Sequence, residues 1–308
     1  MQALVALRSA ARATLERFAA GDVILVAVSG GADSLALAEV AKIEGEKLAL
    51  KIIGVTVDHQ LQIGSAAQAE KVVAQISIPC TIEKVNVDIK DGLEASARRA
   101  RYAAFERCAK ANGAVAVLLG HTKDDQAETV LLGLARGSGA RSLAGMSEVN
   151  GIYVRPFLEI TRQQTVQACE ESGLQPWSDP QNEDETFLRV KVRKNVLPIM
   201  EQELGPGIRD ALTRSAQLLR DDADALDKLA LDFWNRDKSM EIEELTKLSK
   251  AVRTRVLRLA LFESGISQLS AEQVAQVEAL ISNWKGQGEV SLPSGVKVSR
   301  ISGRLTLS

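Results

Sequence analysis

The 308-residue chain is 45% hydrophobic and 25% charged, ordinary for a soluble globular protein, and its length suggests about two domains. Thirty-eight Lys and Arg against 40 Asp and Glu leave a formal charge of −2, so a nucleic-acid partner would require the basic residues to be gathered into patches. Cys80, Cys108 and Cys169 are far apart with no CxxC pair, and there are two histidines. That argues against a disulfide framework, a structural zinc site and a His-rich metal site, and fits a reducing cytoplasm. No apolar run approaches the roughly 20 residues of a membrane span.

The N-terminal stretch carries Arg8, Arg12 and Arg17 and mimics a transit peptide, but Leu4, Leu7, Leu15 and Phe18 fall at helical spacing. A first helix packed on the domain and ended by Gly21 is expected. Short β-rich runs at 23–28, 51–57, 81–87, 115–119 and 152–154 then alternate with helical stretches at 34–47, 65–76, 93–111, 123–135 and 161–172. This βαβ rhythm implies a parallel sheet covered on both faces. Near residue 196 the character changes. Leu212, Ala216, Leu219, Ala223, Leu226, Ala230 and Phe233 mark a long amphipathic helix, and a second helix is expected over 243–263. Ser270 and Gln273 have capping-box spacing for a third, and the last residues alternate like short antiparallel strands. The expected domains are 1–195 and 196–308.

Polar clusters follow the apolar runs. Residues 24–34 read ILVAVSGGADS, a strand followed by a glycine turn and a helix start, which is an anion site because free backbone N–H groups and the helix dipole converge. The spacing and Lys of the GxxxxGK[ST] loop are missing. Asp58-His59 end the second run, Gly120-His121-Thr122-Lys123-Asp124-Asp125 the fourth, and Arg155-Pro156 the fifth. Ligands of open α/β sheets bind at that carboxyl edge. Thr122 and Asp125 have capping-box spacing, which places Asp124 and Glu128 on one face of the following helix with His121 just before it. The result is an acidic pocket for Mg²⁺, a cationic amine or both, or simply a well-capped solvated helix. Arg98, Arg99, Arg101 and Arg107 form a basic stretch in which Arg101 faces the sheet edge while Phe105 packs. Arg189, Lys191, Arg193 and Lys194 either track a phosphate backbone or line a charged linker helix.

SGGADS (29–34) resembles the signature of the PP-loop ATP pyrophosphatases. With VDH (57–59), EASARRARY (94–102), GHTKDDQAETVLLGLARGSG (120–139), RP (155–156) and the D-P-Q-N…F-x-R…R…LP run (179–198), the chain resembles the bacterial tRNA(Ile)-lysidine synthase family, over the whole first domain and more weakly over the second. The resemblance implies an α/β, PP-loop (adenine nucleotide alpha hydrolase-like) parallel sheet with helices on both faces, followed by a smaller, mostly helical tRNA-binding domain with a short β end. It implies a ligase that uses ATP and Mg²⁺ to join L-lysine to C2 of the wobble cytidine in the CAU-anticodon isoleucine tRNA.

The roles implied are ATP binding by Ser29, Gly30, Gly31, Ala32, Asp33, Ser34, Asp58 and His59, and catalysis by Asp33, His121, Arg101 and Arg189. Asp124, Asp125 and Glu128 would hold lysine, and Asp33 and Asp124 would hold Mg²⁺. For the tRNA the candidates are Lys191, Arg193, Lys194, Lys250 and Arg253, with Lys247 and Arg258 beside them. Gln60-Leu61-Gln62 and Arg189-Val190 depart from the family's usual Gly-Leu-Arg and Arg-Asn. Other PP-loop enzymes, an amide-forming synthetase or a tRNA thiolase, are alternatives, as is a nucleotide sensor without catalysis. No membrane partner is expected, and a homodimer stays open.

Overall fold

The computed structural model describes residues 2–308 apart from Gln62, Ile63, Lys90, Asp91, Ser138, Ser267 and Gln268. Ser138 of the expected RGSG element and Gln62 of the loop after His59 therefore lie outside the described residues. In chain order the first part contains α1 (Gln2–Leu15), β1 (Val23–Ala27), α2 (Ala32–Lys47), β2 (Lys51–Asp58), α3 (Ser65–Gln75), β3 (Cys80–Lys84), α4 (Leu93–Asn112), β4 (Ala114–Leu118), α5 (Lys123–Ala135), α6 (Ala140–Leu143), β5 (Val149–Asn150), β6 (Tyr153–Val154) and α7 (Arg162–Glu171).

The six strands form one sheet in the order β3-β2-β1-β4-β6-β5, parallel except for β5. β1 is apolar throughout because both of its faces are covered, as buried parallel strands require. Ile24 and Val26 pack in a cluster with Leu7 of α1, Leu35 and Leu37 of α2, and Phe157. Leu25, pointing the other way, packs with Phe105 and Cys108 of α4 and with Val55 and Val117. The antiparallel edge strand β5 was not expected: Gly151-Ile152 is the turn of a hairpin, with Gly151 at φ +58° next to the Asn150–Tyr153 pair. Val149-Asn150 carries no apolar run of its own, so nothing in its pattern marked it as a strand.

Two compact units divide the chain, Met1–Gln217 and Leu218–Ser308. The first extends past residue 195 because Val192, Leu197, Ile208 and Leu212 share an apolar cluster with Ala127 and Leu131 of α5. Leu188–Lys191, a wider π turn at Val192–Val196, and Leu197–Glu203 carry the backbone there as one helical run. Pro198 has no N–H to return to the carbonyl four residues earlier, which accounts for a widened turn at this point.

The unit boundary falls within the helix Ile208–Asp237. In the second unit the single helix expected over 243–263 is two, Ile242–Lys247 and Lys250–Glu263, separated by the extended Leu248. Arg253 is the physical reason. Its guanidinium donates to the carbonyls of Leu245 and Leu248, which closes the end of the shorter helix. The helix Ala271–Ser282 starts at the Ser270–Gln273 capping box. The chain closes with an antiparallel sheet of β7 (Val290–Ser291), β8 (Lys297–Ile301) and β9 (Arg304–Leu307) in that order. Leu245, Val256, Leu257, Leu261, Val277 and Val298 form the core of this unit.

Candidate active site

The carboxyl ends of β1, β2 and β4 carry the expected polar clusters to one edge. After β1, Ser29 and Ser34 close the loop: the Ser29 N–H donates to Ser34 Oγ at 3.1 Å, and Ser34 Oγ donates to the Gly31 carbonyl at 3.0 Å. Gly30 sits at φ +88°, and a Cβ there would come within 2.5 Å of Val72 Cγ2, so both conformation and space demand glycine. Gly31 caps α2, and Asp33 stands in its first turn. Gly120, at the end of β4, allows that strand to approach the backbone of Asp33, where a Cβ would lie 3.0 Å from its carbonyl.

Asp58 is buried at the end of β2 and accepts the Gln60 N–H at 2.9 Å. His59 follows, its Nε2 accepting from Arg101 Nε at 3.3 Å, so Arg101 does face the sheet edge while Phe105 packs below. Burial, with Arg101 adjacent, lowers the His59 imidazole to about 4. Burial likewise lowers His121 to about 4, with nearby arginines opposing the pull of Asp125. Both rings are therefore neutral near pH 7. The Nδ1 atoms of both are buried and lack a hydrogen-bond partner among the described residues. Buried polar atoms left this way point to a ligand or water that completes the site.

The capping box is present: Asp125 Oδ2 accepts from Thr122 N at 2.8 Å and from Thr122 Oγ1 at 3.0 Å. Asp124 and Glu128 do not form an open acidic pocket, however. Glu128 is fully buried and meets Arg189 Nε at 2.6 Å, Arg193 Nε at 2.7 Å and Arg162 Nη1 at 3.6 Å. Asp125 Oδ1 meets Arg162 Nη2 and Arg189 Nη2, each at 3.1 Å. Asp124 accepts the Arg162 N–H at 2.8 Å and faces Arg209 Nε at 3.3 Å. Arg162 also lies 3.5 Å from Asp33, which Thr165 contacts through its hydroxyl. Four carboxylates thus interleave with four guanidinium groups.

The charges set each other's protonation. Burial pushes Asp125 up, but Arg189 and Arg162 hold it down at about 2. Asp33 moves the other way: burial raises it, against the pull of Arg162 and the Thr165 hydroxyl. Burial lowers Arg162 and Arg189, yet the carboxylates around them leave both raised overall. These arginines stay charged throughout.

Arg162 and Thr165 were absent from the expected site. The signal available was a cation at the first position of a helix with a Thr161–Gln164 capping box, where the dipole disfavours positive charge unless acids face it. The expected RNA-facing cations divide. Lys191 is exposed; Lys194 reaches Glu183 at 2.5 Å; Arg193 is not on the surface run but turned onto Glu128. Lys250 is exposed, whereas Arg253 is buried and paired with Glu278 at 2.5 Å, so it is a structural cation and not a surface contact. Lys247 pairs with Glu244 on its own helix, and Arg258 is exposed.

A PP-loop domain model matches residues 6–200, and a TilS substrate binding domain model matches residues 240–306. The tRNA(Ile)-lysidine synthase of Thermobifida fusca is 46% identical over 98% of this chain and 96% of its own length. Those of Streptomyces coelicolor and Leifsonia xyli are 48% and 46% identical over 92% and 94% of this chain and 84% and 90% of theirs. Among solved structures, the U34-tRNA thiolase NcsA from Methanococcus maripaludis shares the fold at a TM-score of 0.59 and 16% identity, over 71% of this chain and 79% of that one. A glycine-containing loop at the sheet edge, two neutral imidazoles and a cluster of paired carboxylates and arginines lie at the matched motifs. The chain belongs to the tRNA(Ile)-lysidine synthase family of PP-loop enzymes.

Proposed function

We propose that the protein joins L-lysine to C2 of the wobble cytidine in a CAU-anticodon isoleucine tRNA at the expense of ATP, in the cytoplasm. The C2 oxygen of the cytosine attacks the α-phosphorus of ATP, forming an O–P bond as the bond to pyrophosphate breaks. The lysine ε-amine then attacks C2, forming a C–N bond as AMP leaves with the oxygen; the amine loses a proton. The observation that carries this reading is the convergence of the Ser29–Ser34 loop, His121 and the Asp125–Glu128 pair at one sheet edge.

The backbone of Ser29, Gly30, Gly31, Ala32, Asp33 and Ser34 binds phosphate at the start of α2, where N–H groups and the helix dipole favour anions. Asp58 and His59, on the neighbouring strand, flank the nucleotide. Arg101 and Arg189 supply fixed positive charge for phosphate oxygens, to which a planar guanidinium is suited. Neutral His121 offers an acceptor nitrogen for the proton released by the amine, since a ring at about 4 is unprotonated near pH 7. Asp125 and Glu128 receive the ammonium group of lysine in exchange for part of their arginine contacts. Asp124, engaged by the Arg162 N–H and by Arg209, anchors the start of α5.

A carboxylate beside a phosphate loop suits Mg²⁺, which is commonly held by one or two carboxylates and the substrate's own phosphates, once it gives up part of its contact with Arg162. Asp33 is that carboxylate, and the ion would offset charge on the triphosphate. On the RNA side, exposed Lys191 and Lys250 meet backbone phosphates, with Lys194 once it leaves Glu183.

Pyrophosphate release tests the order of steps. With ATP, Mg²⁺ and the CAU-anticodon tRNA but no lysine, adenylation of the tRNA should release pyrophosphate. Release that requires lysine but not tRNA would instead mean amino-acid activation, and the reading would fall.

A further inference from the structure

Within the second unit, the helices Ile208–Asp237 and Lys250–Glu263 leave a groove of about 490 Å³ between them. Its floor is apolar, formed in part by buried Ala230 and Ile266. Two large apolar side chains on the groove are left in solvent: Phe262 is 64% exposed and Leu231 is 45% exposed. Scattered exposed leucines are ordinary, but an exposed phenylalanine at the mouth of a groove presents an uncovered π face.

The charge around this ring is not neutral. Lys228, Arg255 and Arg258 line the same groove with one carboxylate, Asp227. Arg255, Arg258 and Phe262 are spaced by three and four residues, which puts them on one helix face. Both guanidinium groups are held in place by the fold. Arg255 Nε donates to Asp227 at 2.6 Å and its Nη1 to the Ala251 carbonyl at 2.9 Å. Arg258 Nη1 donates to the Leu269 carbonyl at 3.1 Å. Among the described residues, nothing bonds the Nη2 of either group, so each keeps N–H donors for an anion.

An aromatic face beside fixed guanidinium groups matches one ligand chemistry closely. A nucleobase outside a helix stacks on a ring, and its phosphate takes the arginine fork. We propose that this groove seats a single unpaired nucleotide of the RNA substrate, with the base on Phe262 and the adjoining phosphate on Arg258 and Arg255. The identity of the RNA rests on the proposed function; the nucleotide chemistry rests on the groove. All three side chains lie within the segment that matches a substrate-binding domain.

The test uses the full chain and a transcript of the CAU-anticodon isoleucine tRNA. Affinity is compared for the wild type and for Phe262→Trp, Phe262→Leu and Phe262→Ala. Loss of a base stack weakens binding about 5- to 150-fold, so Leu and Ala should both show that loss while Trp stays near wild type. Arg258→Ala should lower the slope of log K against log salt by about 0.7. The exposed position of Phe262 predicts unchanged melting temperatures for all three variants. Equal tRNA affinity in every Phe262 variant would overturn the proposal. So would a Leu variant that matches wild type, because an apolar protein face needs area and not a π system; sedimentation would then show whether a second copy is the occupant. No binding by the wild type would instead overturn the proposed function itself, which separates the two failures.

Discussion

The two units use their arginines in opposite ways. At the sheet edge of the first unit, Arg162, Arg189 and Arg193 turn inward onto Asp33, Asp125 and Glu128, and burial strengthens every one of those interactions. In the second unit Arg253 is buried and paired with Glu278 and Arg255 meets Asp227, while Lys228, Lys250 and Arg258 remain at the surface. Buried charge of this kind serves chemistry on a small molecule or the frame that supports it; surface charge serves a large anion that never leaves water. The difference shows that a run of cations in the sequence says little until its partners are known.

The comparison breaks most sharply at Asp33. Asp33→Asn keeps the shape but removes the charge that would face Mg²⁺ and Arg162. Adenylation should fall by about 10³-fold or more, with circular dichroism unchanged, since metal stabilisation of a phosphoryl transition state amounts to several kcal/mol. Near-normal pyrophosphate release from the folded variant would remove Asp33 from the mechanism.

Next come the two buried pairs. Glu128→Gln leaves Arg189 and Arg193 without their shared anion, and Arg253→Ala leaves Glu278 without its cation, held by the Ser282 hydroxyl. Each should cost about 3–5 kcal/mol of stability, read as a lower denaturation midpoint. Only the first should also raise the KM for lysine, by about 10- to 150-fold for a lost charge-assisted bond. Matching lysine constants in the two variants would show that Glu128 is as purely structural as Glu278.

Much of the first unit was legible in the sequence. The strand–glycine–helix corner at Ser29–Ser34 and the Thr122–Asp125 box are local devices, written in residues that touch one another along the chain. Placing their clusters together needed only the rule that ligands gather at the carboxyl edge of parallel strands. The partners of Glu128 were not legible. Arg189 and Arg193 stand in a basic run with Lys191 and Lys194, and composition is the same whether a cation points at acid or at water. Arg162 lies 34 positions after Glu128 in sequence and meets it only in the folded state. Likewise, the break at Leu248 comes from Arg253 filling carbonyls, a tertiary choice that helical periodicity over 243–263 does not carry.

Smaller effects sharpen the same contrast. Lys250→Ala should change stability by less than about 0.5 kcal/mol, as for most surface positions, while lowering the salt slope of tRNA binding by about 0.7 to 0.9. An unchanged slope would place the RNA surface elsewhere, with the Arg98–Arg107 stretch the next candidate.

Acidification bears on the first unit. His59 and His121 sit near 4 when folded and near 6.5 when unfolded, so the unfolded chain binds more protons between those values. Stability is then full above about 6.5 and falls as pH drops toward 4, with His121 the larger contributor because His59 is more open to solvent. Asp125, held at about 2, keeps its contribution across that window and loses it only below the usual carboxylate range. Urea midpoints from pH 7 to 4.5 should decline, and His121→Gln should flatten the decline; a flat wild-type profile would contradict the half-buried, neutral rings.

On the proposed function, the Ser29–Ser34 loop and the Asp125 and Glu128 carboxylates act on one RNA base and one amino acid. Incubating the protein with radiolabelled lysine, ATP, Mg²⁺ and the CAU-anticodon isoleucine tRNA transcript tests it directly. Label should appear in the RNA, depend on ATP, and disappear when the wobble cytidine is replaced by uridine. RNA that stays unlabelled while ATP is converted to AMP and pyrophosphate would contradict lysine transfer and return the chain to another adenylating chemistry.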